Sequence, residues 1–227
     1  MKFFSAPGTI SSRKKRFAAR ETNPYDVPTR RPPAPRSTGF TGKRMENNAT
    51  ATVKEQLCRY CRRLYDRRLV SGNAGNMAAR AGEKILLTAS GCCLGDMTPD
   101  RVTTLDGDGR VLAGPPPTRE ARMHLEILAV RPDVNVVCHI HGAHIIAASI
   151  MARPGRDTLP PLTPAFAALA WPLAMLPFQI PGTRALAESA AREFSGKRRA
   201  LLLQNHGLLT VGSSFREAVT LAEEVDE

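Results

Sequence analysis

Apolar positions recur every three to four residues through an arginine-rich stretch, at Val53, Leu57, Cys61 and Leu64, and predict an amphipathic helix ending near Leu69. The arginines between them form its polar face. After a Gly/Asn-rich loop come Ile85-Leu86-Leu87 and Val102-Thr103-Thr104-Leu105, runs of strand length. Asp106-Gly107-Asp108-Gly109 then turns the chain into Arg110-Val111-Leu112, so the last two runs predict a hairpin. Residues 119–130 read as a helix with Met123, Ile127 and Val130 on one face. Residues 135–140 read as a buried strand, and a helix is expected from Ala143 to Met151. The stretch from Leu159 to Pro181, rich in Pro and Ala, shows neither period. A further helix opens after Pro181-Gly182-Thr183 with Leu186, Ala190 and Phe194 inward, and Ala200–Leu203 and Leu208–Val211 read as strands. Ser214 and Glu217 have the Ser-x-x-Glu spacing of a capping box at the head of the last helix. Helices and strands that intermix along the chain, with one tight hairpin, predict a single layered α/β or α+β domain with a mixed or antiparallel sheet.

The formal charge of +11 suggests a polyanion partner until its location is considered. Residues 1–44 carry eleven Lys or Arg against only Glu21 and Asp26, a net of +9, so the remainder is nearly neutral. That segment also holds Pro24, Pro28, Pro32, Pro33 and Pro35, the basic run Arg13-Lys14-Lys15-Arg16 and no apolar periodicity, so a disordered extension is expected over residues 1–44 and a domain over 45–227. A targeting peptide or a nucleic-acid-binding tail is the rival reading of the extension, and Met45 is a candidate start of translation. No stretch approaches the roughly 20 apolar residues of a membrane-spanning helix. Five bunched cysteines, Cys58, Cys61, Cys92, Cys93 and Cys138, make a poor disulfide framework and fit reduced thiols. A cytoplasmic protein is expected, without membrane attachment and without nucleic-acid binding except through the basic extension. The lone Cys58-x-x-Cys61 pair reads as incidental to its helix.

Candidate chemistry concentrates in a few places. Alternate residues of a strand share a face, so His139 and His141 lie on one side about 6–7 Å apart along the backbone, with Cys138 and Ile140 on the other. His206 follows an apolar strand in the polar turn Gln204-Asn205-His206-Gly207. Three neutral imidazoles suit Zn²⁺ and leave a position open for substrate, although buried histidines are also common structural residues. Glu120, in Pro117-Thr118-Arg119-Glu120, stands at a helix start, where it could equally complement the helix dipole. Gly72-Asn73-Ala74-Gly75-Asn76 and Thr88-Ala89-Ser90-Gly91 offer backbone N–H groups, hydroxyls and an amide suited to a phosphate. His124 and His144 are left out of the site.

Gly75-Asn76-Met77-Ala78-Ala79-Arg80, Leu87-Thr88-Ala89-Ser90-Gly91, Thr118-Arg119-Glu120, Val137-Cys138-His139-Ile140-His141 and Asn205-His206-Gly207-Leu208 occur in the order and approximate spacing of the class II aldolase/adducin family, which the chain resembles from about Val53 to its end. The resemblance implies a three-layer α/β/α domain with a largely antiparallel central sheet, assembled as a homotetramer. It implies His139, His141 and His206 as ligands of one Zn²⁺, or another divalent metal, and Glu120 as the catalytic acid/base. It implies Gly75, Asn76, Ser90, Gly91, Thr118 and Arg119 around the phosphate of a small sugar phosphate. The activity implied is a zinc-dependent aldolase that cleaves a ketose phosphate through a metal-stabilised enediolate. The same site in the family also serves epimerases, dehydratases and decarboxylases of phosphorylated sugars or sugar acids, and adducin-type members are non-catalytic interaction domains that lack the metal ligands present here. Arg119 stands where serine is usual, Ala78 replaces another serine, and Pro164 falls near a position where some members present a tyrosine. The chain ends at Glu227 inside the predicted last helix, short of the segment that closes over the site in the family.

Overall fold

The computed structural model describes residues 40–156 and 158–227. In chain order they form α1 (Phe40–Asp66), β1 (Asn76–Ala81), β2 (Lys84–Thr88), β3 (Val102–Leu105), β4 (Val111–Ala113), α2 (Ala121–Val130), β5 (Val136–Ile140), α3 (Ala143–Met151), α4 (Pro164–Leu169), β6 (Ala174–Leu176), α5 (Arg184–Phe194), β7 (Ala200–Leu203), β8 (Gly207–Gly212) and α6 (Phe215–Asp226), with two short 3₁₀ turns before β3. The eight strands make one sheet in the order β4-β3-β2-β1-β5-β8-β7-β6. Every neighbouring pair is antiparallel except β6 with β7. Of the extension expected over residues 1–44, positions 1–39 lie outside the described residues, and Met45, the candidate start, lies within α1. α1 begins within the last five residues of that segment.

The sheet is the middle of three layers. Alternation along the strands sends Met77, Ala79, Leu86, Cys138, Ile140, Leu202 and Leu208 to one face, beneath α1, α3, α4 and α6. Their neighbours Ala78, Leu87, Val137, Leu201, Leu203 and Leu209 go to the other, beneath α2 and α5. Central strands buried on both faces read as apolar runs rather than alternating ones. α1 presents Leu57, Cys58, Cys61 and Leu64 inward, so the C-x-x-C pair packs into the core, and all five cysteines are free thiols.

The hydroxyl of Thr183 caps α5 by accepting from the Leu186 amide, and Leu186, Ala190 and Phe194 are buried as expected. Phe194 is wholly buried in the layer under α2 and α5. Its replacement by Ala is expected to cost about 3–5 kcal/mol, read by urea unfolding; a loss below about 1 kcal/mol would show that this layer collapses without it.

Several expectations change. β1 was hidden because its sequence, Asn-Met-Ala-Ala-Arg-Ala, has little strand propensity; it is held as a central strand by pairing with β2 and β5. Val130 is 40% exposed instead of inward: it is the last residue of α2, whose buried residues include Met123, His124, Ile127 and Leu128. The Pro/Ala-rich stretch contains α4, capped by Thr163, and the short strand β6. Ser214 caps α6 by accepting from Glu217 N, but the reciprocal bond to the Glu217 carboxylate comes from Ser213 N, one residue earlier than in a capping box.

Candidate metal centre

The candidate site lies at the middle of the sheet. β5 delivers His139 at its C-terminal end, paired in register with Asn76 of β1 and Leu209 of β8. His141 follows just past the strand, where its amide donates to the Leu69 carbonyl. His206 comes from the turn joining β7 to β8. That turn is closed by His206 N donating to Leu203 O, with Asn205 at φ 56°, a left-handed conformation that asparagine tolerates. The Ser149 hydroxyl of α3 accepts from Asn205 N and pins the turn from above. Glu120 enters from the position that caps α2, on the side of the sheet that α2 covers.

The three imidazoles stand nearly perpendicular to one another, with centroids 4.6–5.0 Å apart. Their Nε2 atoms converge: His139 lies 2.9 Å from His141 and 3.3 Å from His206. The Glu120 carboxylate faces them, with Oε2 3.3 Å from His139 Nε2 and Oε1 3.3 Å from His206 Nε2. All four donor atoms lie within 4.8 Å of one another. His139 Nδ1–H donates to the Leu208 carbonyl at 3.0 Å, which turns the lone pair of Nε2 inward.

This donor set fits a divalent metal ion. Ligands at typical Zn–N distances of about 2.0–2.1 Å sit roughly 3.3 Å apart around a tetrahedron, close to the nitrogen separations found here. Glu120 Oε1 is buried without a hydrogen-bond partner, the kind of orphaned acceptor that a cation satisfies. Burial opposes charge on His139, but the Glu120 carboxylate and the bond to Leu208 outweigh it and raise its pKa. Burial and then the charge on His139 push His141 down to about 3 and His206 down to about 4. For Glu120, burial favours the neutral acid, but the charge and hydrogen bond of His139 and the bond from Asn76 hold the carboxyl well below its usual range.

The other expected residues lie on segments joined to this cluster through the chain or by backbone hydrogen bonds. Ser90 N donates to Pro116 O and Thr118 N to Thr88 O, which joins the Thr88–Gly91 loop to the one carrying Thr118, Arg119 and Glu120. Ser90, Gly91 and Arg119 are exposed and Thr118 is buried. Gly75, at φ +77°, packs against Val70 and the backbone of His139, where a side chain would collide. The Asn76 side-chain amide is engaged on both sides, with Nδ2 donating to Glu120 Oε2 at 2.9 Å and Oδ1 against His124 Nε2. His124, excluded on sequence grounds, is thus one contact from the centre and wholly buried. Its spacing of four from Glu120, one helical turn, was the available signal. His144 lies outside the site, exposed and paired with Asp226 at 3.0 Å.

Gly207 backs the centre. A Cβ there would overlap the Ile140 carbonyl oxygen and come within 3.0 Å of His141 Cδ2 and 3.2 Å of His139 Cε1. Gly207→Ala is therefore expected to lower stability by about 1–3 kcal/mol and to reduce bound metal, measured by thermal unfolding and elemental mass spectrometry. Full metal content in a stable variant would show that β5 and β8 can separate there.

A family model described as the class II aldolase and adducin N-terminal domain matches residues 55–227. A 3-oxo-tetronate 4-phosphate decarboxylase of Haemophilus influenzae is 30% identical over 177 residues, 77% of this chain and 83% of that protein. An L-fuculose phosphate aldolase of Escherichia coli is 33% identical over 183 residues, 80% and 81% of the two chains. Among solved structures, Escherichia coli YgbL, named for candidate aldolase, epimerase or decarboxylase activity, superposes with a TM-score of 0.73 at 28% identity, covering 77% of this chain and 85% of that one.

Proposed function

Because this chain belongs to the class II aldolase and adducin family, we propose that it is a divalent-metal-dependent carbon–carbon lyase acting on a small phosphorylated sugar. The convergence of the three histidine Nε2 atoms on the Glu120 carboxylate carries the reading. It also weighs against a non-catalytic interaction domain, which has no use for such a cluster. His139, His141 and His206 would hold the metal, with Zn²⁺ best suited to three imidazoles. Once bound, the ion supplies Lewis-acid polarisation of the substrate carbonyl and its neighbouring hydroxyl.

The remaining steps fall to the chain's own groups. The scissile bond lies next to a carbon adjacent to the carbonyl, and its electron pair stays on that carbon when it breaks. In aldol cleavage the departing fragment is an aldehyde, whose hydroxyl proton passes to the Glu120 carboxylate as the bond opens; in decarboxylation it is CO₂, and Glu120 draws its proton from solvent. Either way a proton must then reach the carbon. Glu120 is the acid/base that moves it, a role that requires a carboxyl group within hydrogen-bond reach. Ser90, Gly91, Thr118 and Arg119, on two loops tied by backbone hydrogen bonds, and the Gly75-Asn76 backbone bind the phosphate. Aldol cleavage of a ketose phosphate is the first reading. Decarboxylation is the second, favoured by Arg119, whose fixed charge suits a substrate carboxylate as well as a phosphate, and by the relatives named as decarboxylases. The exposed apolar side chains Ile150, Met151, Leu162, Phe178 and Ile180 support assembly into a homo-oligomer.

The test supplies metal-loaded protein with ketose 1-phosphates and with phosphorylated 3-oxo sugar acids, and measures aldehyde and CO₂ release. Release of either product supports the lyase and selects its branch; release of neither, by protein with stoichiometric metal, overturns it. Arg119→Ser is expected to raise KM for the phosphorylated substrate by about tenfold with little change in kcat, since a charge-assisted contact to the anion is present before and during reaction.

A further inference from the structure

The buried contacts of Asn76 and His124 form a chain with only one consistent set of polarities. A carboxylate only accepts hydrogen bonds, so the Asn76 group facing Glu120 Oε2 at 2.9 Å is the NH₂. The Asn76 carbonyl oxygen then faces His124 Nε2, and that nitrogen must carry a proton and donate. His124 Nδ1 is left as the bare nitrogen, buried and without a partner. The imidazole is wholly enclosed and neutral: burial, and then the charge on His139, push it down to about 3. His124 therefore presents one fixed donor, from α2, to an amide on β1 that in turn holds the carboxylate opposite the three ligand histidines.

We propose that His124 is a positioning residue: by donating to Asn76 Oδ1 it locks the Asn76 amide so that its NH₂ holds Glu120 Oε2 in place for proton transfer. Without that donor, the Asn76 carbonyl oxygen is left buried and unpartnered, and the side chain turns to find another donor, which draws its NH₂ out of line with Glu120 Oε2 and loosens the carboxyl group's aim at the reacting carbon. The role rests on the lyase reading for its catalytic consequence and on geometry alone for the contact. A buried histidine that merely fills space would tolerate an apolar residue of similar size. One that donates would be replaced best by glutamine, whose side-chain nitrogen reaches about as far as an imidazole Nε2.

The experiment compares wild type with His124→Leu, His124→Gln, Asn76→Ala and the His124→Leu, Asn76→Ala double variant, all loaded with metal. Exchange of the Asn76 side-chain amide protons is followed by NMR in the metal-free protein. His124→Leu is expected to lower kcat by about 10–100-fold, the usual effect of losing a group that orients a ligand or base, with KM and bound metal unchanged. His124→Gln is expected to restore most of the rate. In the Asn76→Ala background His124→Leu should cost nothing further, since the mediator of the effect is gone. In the metal-free protein, the Asn76 amide protons should exchange slowly in wild type and in His124→Gln, and fast in His124→Leu.

Unchanged kcat in a folded His124→Leu protein, independent losses in the double variant, or equal amide exchange in all forms would each overturn the proposal. If His124→Leu does not fold, His124→Gln decides: wild-type rate and slow exchange uphold the donor role, and loss of both overturns it. Fast exchange in His124→Leu beside a wild type inactive on every sugar phosphate would uphold the contact and overturn the lyase reading instead.

Discussion

Glu120→Gln is expected to retain the metal at the wild-type level while turnover falls by about 10²–10⁴-fold. The three imidazoles supply the ligand set without it, and glutamine has nearly the same volume, so the centre should load normally. Two things change at the carboxylate. An amide cannot take up or release the proton that the substrate carbon needs, and the negative charge that faces His139 and His206 at 3.3 Å disappears. The second change also alters the metal-free protein, where that charge is what lifts the His139 pKa against burial. Bound metal by elemental mass spectrometry, read beside kcat, separates the roles. Full metal with undiminished turnover would remove Glu120 from the proton-transfer step, and lost metal would make it a ligand that the centre cannot do without.

Parts of this architecture were legible because local signals agreed with tertiary ones. The Thr183 cap and the spacing of Leu186, Ala190 and Phe194 mark α5 whatever surrounds it, and the period of two along β5 placed His139 and His141 on a shared side, opposite Cys138 and Ile140. β1 was not legible. An alanine-rich segment has neither the β-branched bulk nor the alternation of a strand, and it becomes one only because β2 and β5 flank it. The meeting of His206 with His139, 67 residues away, is a property of sheet order, since β8 pairs with β5. Local pattern could nominate these residues separately; only the family resemblance joined them in advance. His124 was lost for a related reason: its partner Asn76 sits on the strand that the pattern did not reveal, so only the spacing of four from Glu120 set it apart from an ordinary helix histidine.

The combined His139→Ala, His141→Ala variant should abolish metal binding and, with it, all measurable turnover, while the fold survives. Each substitution removes an inward Nε2, and His206 with Glu120 leaves only two donors, too few to hold a metal that normally has three protein ligands at a catalytic site. Survival of the fold is expected because the apolar layers above and below the sheet do not depend on these rings. The neighbours of His139 along β5, Val137, Cys138 and Ile140, pack on without it. Removing His139 also takes away the imidazole that faces Glu120 at 3.3 Å, leaving a buried carboxylate held chiefly by Asn76. The metal-free variant should thus be less stable than the metal-free wild type by about 1–3 kcal/mol, the cost of an under-partnered buried group. Metal content, circular dichroism and urea unfolding on the same preparations test all three consequences. A folded variant that still binds near-stoichiometric metal would place the ion elsewhere and dissolve the assignment of this centre; one that loses metal and keeps full activity would detach the chemistry from the metal altogether.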